Sequence, residues 1–111
     1  QPDAPPDLVV EARMESGAVL AAAGDPRGEA LMDAAEDEAA GLGAETLARA
    51  LRARIASLEA RGLCERAAPR VERLRTLMSN VDPSVREQVG HDQWQAERAD
   101  SPCNQTQERK P

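Results

Sequence analysis

The stretch Ala44-Glu45-Thr46-Leu47-Ala48-Arg49-Ala50-Leu51-Arg52-Ala53-Arg54-Ile55-Ala56-Ser57-Leu58-Glu59-Ala60-Arg61-Gly62 decides the fold class. Leu47, Leu51, Ile55 and Leu58 recur at steps of four, four and three, which is one face of an α-helix. Ala48, Ala50, Ala53 and Ala56 add strong helix propensity. The pattern predicts a helix over residues 44–61, and Gly62 is its natural stop.

Working outward, Leu63, Ala67, Val71, Leu74, Met78 and Val81 give a second stripe of the same period. Pro69 lies inside it and predicts a break or kink near Ala68. Asp82-Pro83 then supplies a capping carboxylate and a proline suited to the first helical position. A helix is expected over residues 83–98, with Val85, Val89 and Ala96 inward. Upstream, Asp25-Pro26 repeats the device and opens a helix over residues 26–40, with Ala30, Leu31, Ala34 and Ala35 inward and Gly41 and Gly43 beyond its end. Asp7 is placed to cap a first helix over residues 8–23, whose apolar members include Leu8, Val9, Ala12, Val19 and Leu20 and which ends at Gly24. Residues 1–6, with three prolines, read as an extended leader, and residues 104–111 as a disordered tail. The expectation is an all-α fold: one domain over residues 7–103, a small bundle of four to five short helices.

Composition makes the core thin. Of the 111 residues 21 are Ala, while Leu, Ile and Val number 18, about 16% of the chain. That lies under the ~20% level at which disorder competes with folding, and Ala contributes little buried area. A staple or a partner is therefore expected. Cys64 and Cys103 supply the staple: in a short exported chain an even cysteine count reads as a disulfide. Two free cytosolic thiols are the alternative. The first residue, Gln1, fits a mature chain whose export signal has been removed, and no run of eighteen apolar residues spans a membrane. Periplasmic or secreted localisation follows as the expectation.

The formal charge is −6. An acidic cluster, Asp33, Glu36, Asp37 and Glu38, stands on the second helix, and its consecutive members fan around it as a solvated face. Eight Arg against three acids lie between Arg49 and Arg75. They have two readings, a phosphate-binding surface or a complement to the acidic second helix. With no Tyr or Phe to stack on bases and an acidic chain overall, nucleic acid is the weaker one.

The residue types point away from an enzyme. His91, the only histidine, reads as a solvated surface residue, since neighbouring Asp92 points about 100° away on a helix. Two Cys and one His at these distances make no metal site, and Gly41 and Gly43 make no phosphate loop. No metal and no cofactor is expected. Trp94, the only aromatic residue, either anchors an interface or fills the cleft between the last helix and the disulfide. Asn104-Gln105-Thr106 matches the N-glycosylation pattern, of consequence only in a eukaryotic source.

The run Gln93-Trp94-Gln95-Ala96-Glu97-Arg98, followed by Asp100 and Cys103, resembles the C-terminal signature of the LprI-like family, small exported bacterial proteins related to a lysozyme inhibitor. In that family a Gln precedes the Trp, an Arg follows it by four residues, and an Asp and a Cys come next. An earlier Cys opens a helix, here Cys64 in Leu63-Cys64-Glu65-Arg66. The resemblance covers residues 64–103, about a third of the chain. This chain has fewer cysteines than family members, Glu97 where they carry an aromatic residue, and a Trp-to-Cys spacing one residue longer. The resemblance implies a helical, disulfide-bonded envelope protein that binds a lysozyme-like hydrolase.

The expected function is thus a non-catalytic protein-binding module of the bacterial envelope, with Asp33, Glu36, Asp37, Glu38, Trp94 and Arg98 as candidate partner-binding residues. The other readings are an envelope adaptor, pilotin-like or chaperone protein, and a cytosolic nucleic-acid-associated regulator using the Arg-rich helices. The stripe Leu47, Leu51, Ile55 and Leu58 serves either a homodimer seam or the monomer's own core.

Overall fold

A computed structural model describes residues 4–101 and 103. Among these residues the chain forms six α-helices and no strand: α1 Pro6–Ala22, α2 Arg27–Ala40, α3 Ala44–Ala60, α4 Cys64–Ser79, α5 Pro83–Gln88 and α6 His91–Glu97, followed by a single 3-10 turn, Arg98–Asp100. Residues 1–3 of the leader expected over 1–6, the tail over 104–111 and the glycosylation pattern lie outside the described residues, while Pro6, the last residue of that leader, already belongs to α1.

The central element is α3. It packs against α1, α2 and α4 and buries Leu47, Ala48, Ala50, Leu51, Arg54, Ile55 and Leu58. The stripe is therefore spent on the monomer's own core and is not free to form a dimer seam. Leu51, Ile55, Leu58 and Leu74 are sealed from solvent, each burial worth about 1.5–3 kcal/mol. At the end of α3, Gly62 adopts φ 75°. The Leu63 N–H reaches back to the Leu58 carbonyl at 2.9 Å and the Gly62 N–H to Glu59 at 3.0 Å, closing the helix on the residue the sequence marks as its stop.

Helix α4 runs through Pro69 without the expected break. Pro69 stands in the second turn, so it removes only the hydrogen bond to the carbonyl of Glu65, and the apolar face of Ala67, Leu74 and Met78 stays buried. The single helix expected over residues 83–98 is instead two. Gly90 takes φ 67°, a left-handed conformation costly to any residue with a Cβ, and separates α5 from α6. Val89 is buried as expected, but Ala96 is exposed.

The other corrections concern which face turns inward. Helix α1 buries Val10, Met14, Gly17 and Ala21, while Leu8 is 51% and Val19 71% exposed. Helix α2 buries Gly28, Met32, Ala35 and Ala39, and Ala30 and Ala34 are exposed. The reason is close contact between the two helices. A Cβ on Gly28 would lie 2.4 Å from the Ala21 nitrogen and 2.5 Å from the Gly17 oxygen, so backbone meets backbone where only glycine fits. Asp7 does not cap α1, which begins at Pro6 with Asp7 in its first turn. Asp25 does cap the start of α2, accepting from the Arg27 N–H at 2.9 Å. The Arg27 side chain, hydrogen-bonded to the same carboxylate, helps lower Asp25 to a pKa of about 2.

Cys64 and Cys103 form the expected disulfide, with a Cα–Cα distance of 5.5 Å. It ties Cys103, three residues beyond the 3-10 turn, to the first residue of α4. The assembly measures 54 × 38 × 17 Å.

Candidate functional site

The acidic cluster of α2 is largely turned to internal use. Glu29, Asp33 and Glu36 lie at i, i+4 and i+7 and share the face that meets α3 and α4. Arg54 of α3, its side chain 1% exposed, contacts all three, at 2.5 Å to Glu29, 2.9 Å to Asp33 and 2.6 Å to Glu36. Arg70 of α4 joins Glu36 at 3.0 Å and Asp33 at 3.8 Å. Arg61 and Arg66 converge on Glu29, Arg66 at 3.3 Å. Burial opposes the charge of Glu29, but the hydrogen bonds from Arg61 and Arg54 outweigh it and hold the carboxyl below its ordinary value. Burial likewise opposes the charge of Arg54, and the hydrogen bond to Asp33, the charge of Glu36 and the hydrogen bond to Glu29 raise it above the ordinary guanidinium value.

This network corrects the view of the cluster as a solvated face. Glu36 is buried, Asp33 is paired, and Glu38 bonds Arg13 of α1 at 2.5 Å. Only Asp37 of the four has no ion-pair partner among the described residues. The Arg-rich stretch is the complement of the acidic helix, since Arg54, Arg61, Arg66 and Arg70 are committed to it. The sequence carries a signal for this. Arg54 stands within the arc of Leu47, Leu51, Ile55 and Leu58, a charge where the period demands an apolar residue.

His91 is also corrected. It is 2% exposed and stacks on Trp94 with ring centroids 5.7 Å apart. Burial, followed by the charge of Arg86, lowers its pKa below the ordinary imidazole value. The other face-on contact of Trp94 is Arg98, its guanidinium carbon 5.1 Å from the ring centroid. Arg98 is in turn anchored to Glu59 at 2.8 Å, and Ser101 donates to the same carboxylate at 3.0 Å. Trp94 and Arg98 thus come together, far from the acids of α2 in role. The ring divides two cavities: one of about 480 Å³ beside Cys64 and Cys103, and a larger one described next.

The larger cavity is an open cleft of about 730 Å³ along the outward side of α3. Asp7, Glu11 and Glu15 of α1, spaced by four, line one wall. Ala50, Ala53 and Ala56 of α3 line it too, joined by Val10, Met14 and Trp94. Arg49 and Arg52 also face it. Both are already engaged: Arg49 pairs with Glu45 at 2.7 Å, and Arg52 donates to the carbonyl of Val89. The three α1 carboxylates have no ion-pair partner among the described residues, so the free charge of the cleft is negative. These acids were not singled out from the sequence, although their four-residue spacing places them on one helix face.

No protein family, no curated protein sequence and no solved structure matches this chain. The likeness of residues 64–103 to the LprI-like signature rests on that motif alone.

Proposed function

We propose that this protein is a non-catalytic protein-binding module that works outside the cytosol on a basic partner, and that the α1–α3 cleft is its binding site. The observation that carries this reading is the cleft itself, which combines an apolar floor, a tryptophan in its lining and three carboxylates without an ion-pair partner among the described residues. Apolar ground rimmed by charged side chains, here four carboxylates against two arginines, is the anatomy of a protein-docking surface. Lysozyme-like hydrolases of the envelope are the first partner class, because they are basic and because residues 64–103 resemble a family related to an inhibitor of them. Periplasmic or secreted location belongs to the same proposal, supported by the disulfide.

The steering charge moves from the α2 cluster to α1, since Asp33, Glu36 and Glu38 are occupied. The test is binding and inhibition of a basic c-type lysozyme at low ionic strength, with affinity falling as salt rises. At about 0.5 kcal/mol for each exposed charge, the variant Asp7→Asn/Glu11→Gln/Glu15→Gln should bind roughly tenfold more weakly. Absence of binding at low salt removes this partner class. Binding indifferent to the triple substitution removes the cleft.

A further inference from the structure

We infer that the cleft receives an α-helix of the partner, one with a spine of small residues and a row of lysines or arginines along one edge, laid against α3 with its cations over Asp7, Glu11 and Glu15. This rests on the reading of the cleft as the docking site of a basic protein and adds what occupies it.

The first argument is shape. Where the cleft meets α3, Ala50, Ala53 and Ala56 present nothing beyond a Cβ, with Thr46, Arg49 and Arg52 of the same helix beside them. Helices packed face to face sit 8–10 Å apart depending on the side chains between them, and a floor of alanines allows the close end of that range. Helix α3 is flanked by α1, α2 and α4, yet Ala53 and Ala56 on this side are exposed, so this side of α3 lacks the helix that would cover it.

The second argument is the backbone. The cleft is walled by helices, whose interior N–H and C=O groups are already paired. An extended peptide laid there would bury its own polar backbone with nothing to bond. A helix arrives with those bonds made.

The third argument is charge register. From Asp7 to Glu15 is eight residues, about 12 Å of helix at 1.5 Å per residue. A partner helix with cations at i, i+4 and i+8 matches that spacing along its whole length. Among the described residues the wall's three carboxylates have no ion-pair partner, whereas Arg49 is neutralised by Glu45 and Arg52, held on the Val89 carbonyl, leaves one positive charge against those three. The attraction is therefore for cations.

Trp94 is the only aromatic residue of the chain and lines the cleft, so its fluorescence reads occupancy. The probes are two helical peptides of identical composition and without aromatic residues. One has an alanine spine and lysines at i, i+4 and i+8 on one edge; the other has the same lysines spread around the helix. The patterned peptide is expected to shift Trp94 emission and to bind at least tenfold more tightly than the spread one. Ala53→Leu or Ala56→Leu, at exposed positions, should fill the floor and weaken it at least tenfold, with helical content unchanged by circular dichroism. Equal binding of the two peptides, or undiminished binding to both leucine variants, overturns the inference. So does sedimentation of the protein alone as a dimer that Ala53→Leu dissociates, because a second copy then fills the cleft. If a basic hydrolase binds and the leucine variants leave that binding unchanged, the helix falls while the module reading stands. If the patterned peptide binds as expected and no basic hydrolase does, the helix stands and the hydrolase class falls.

Discussion

Replacing Arg54 by Met tests the account of the interior most directly. Three carboxylates then lose the guanidinium that lies between them. Removing one partner of a buried ion pair typically costs about 3–5 kcal/mol, but the three arms are not equal. Asp33 is 61% exposed in its side chain, so water screens it and its arm counts little. Glu29 retains Arg61 and Arg66, and Glu36 retains Arg70. The loss therefore belongs at the low end, about 3 kcal/mol, which for a domain of this size lowers Tm by roughly 12–24 °C. The sign with pH follows from linkage. In the parent, Glu29 is held below its ordinary value, so its contribution is present above the unfolded carboxylate pKa and is lost as pH falls through the lower folded one. In Arg54→Met, crowded carboxylates favour protonation, so the variant gains relative stability as pH falls from 7 toward 4. Urea unfolding followed by circular dichroism at both pH values measures the gap. A variant within 1 kcal/mol of the parent at pH 7, or a gap that does not narrow toward pH 4, would refute the reasoning.

Gly28→Ala forces a Cβ onto backbone atoms of α1 and should cost about 1–3 kcal/mol from overpacking, while Gly41→Ala, whose nearest neighbour is 3.6 Å away, should be neutral or stabilising by thermal melts. Reduction of Cys64–Cys103, separated by 39 residues, removes about 4 kcal/mol on the chain-entropy view, and the drop in urea midpoint should match that of a Cys64→Ser/Cys103→Ser variant. Because burial holds His91 below its ordinary pKa, the unfolded chain takes up a proton first as pH falls. Stability should therefore be full above about pH 6.5 and decline below it, and that decline should vanish in His91→Gln when unfolding is followed between pH 7.5 and 5.

Where one physical rule acted alone, the structure follows the sequence. The stripe of α3 is strictly periodic and bounded by Gly62, and it is a buried helix face. The two cysteines had only each other as chemistry, and they pair. Legibility fails where two rules compete. Helix α1 is apolar on both sides, so period alone could not choose between the Leu8–Val19 face and the Val10–Met14 face; contact between Gly17 and Gly28 chose. The sequence 83–98 is helical in pattern, but one glycine had freedom to reverse the backbone, which split it. His91 and Glu36 read as solvated because polar residues usually are, and their burial depends on partners distant in sequence. Of the candidate site, Trp94 and Arg98 come together as a pair, while the acids that face the open cleft belong to α1 and not to α2.

The order in which helices touch bears on how the chain reaches this state. The most extensive contacts join α1 to α2, α3 to α4 and α2 to α3, with α1 to α3 and the ion pairs from α4 to α2 as the longer pairings among these four. Contact order is accordingly low, and such topologies reach their native arrangement in microseconds to milliseconds. Thiol oxidation takes seconds to hours. The four long helices should therefore be assembled before the sulfurs join, and the bond should lock a C-terminal segment onto a body already formed.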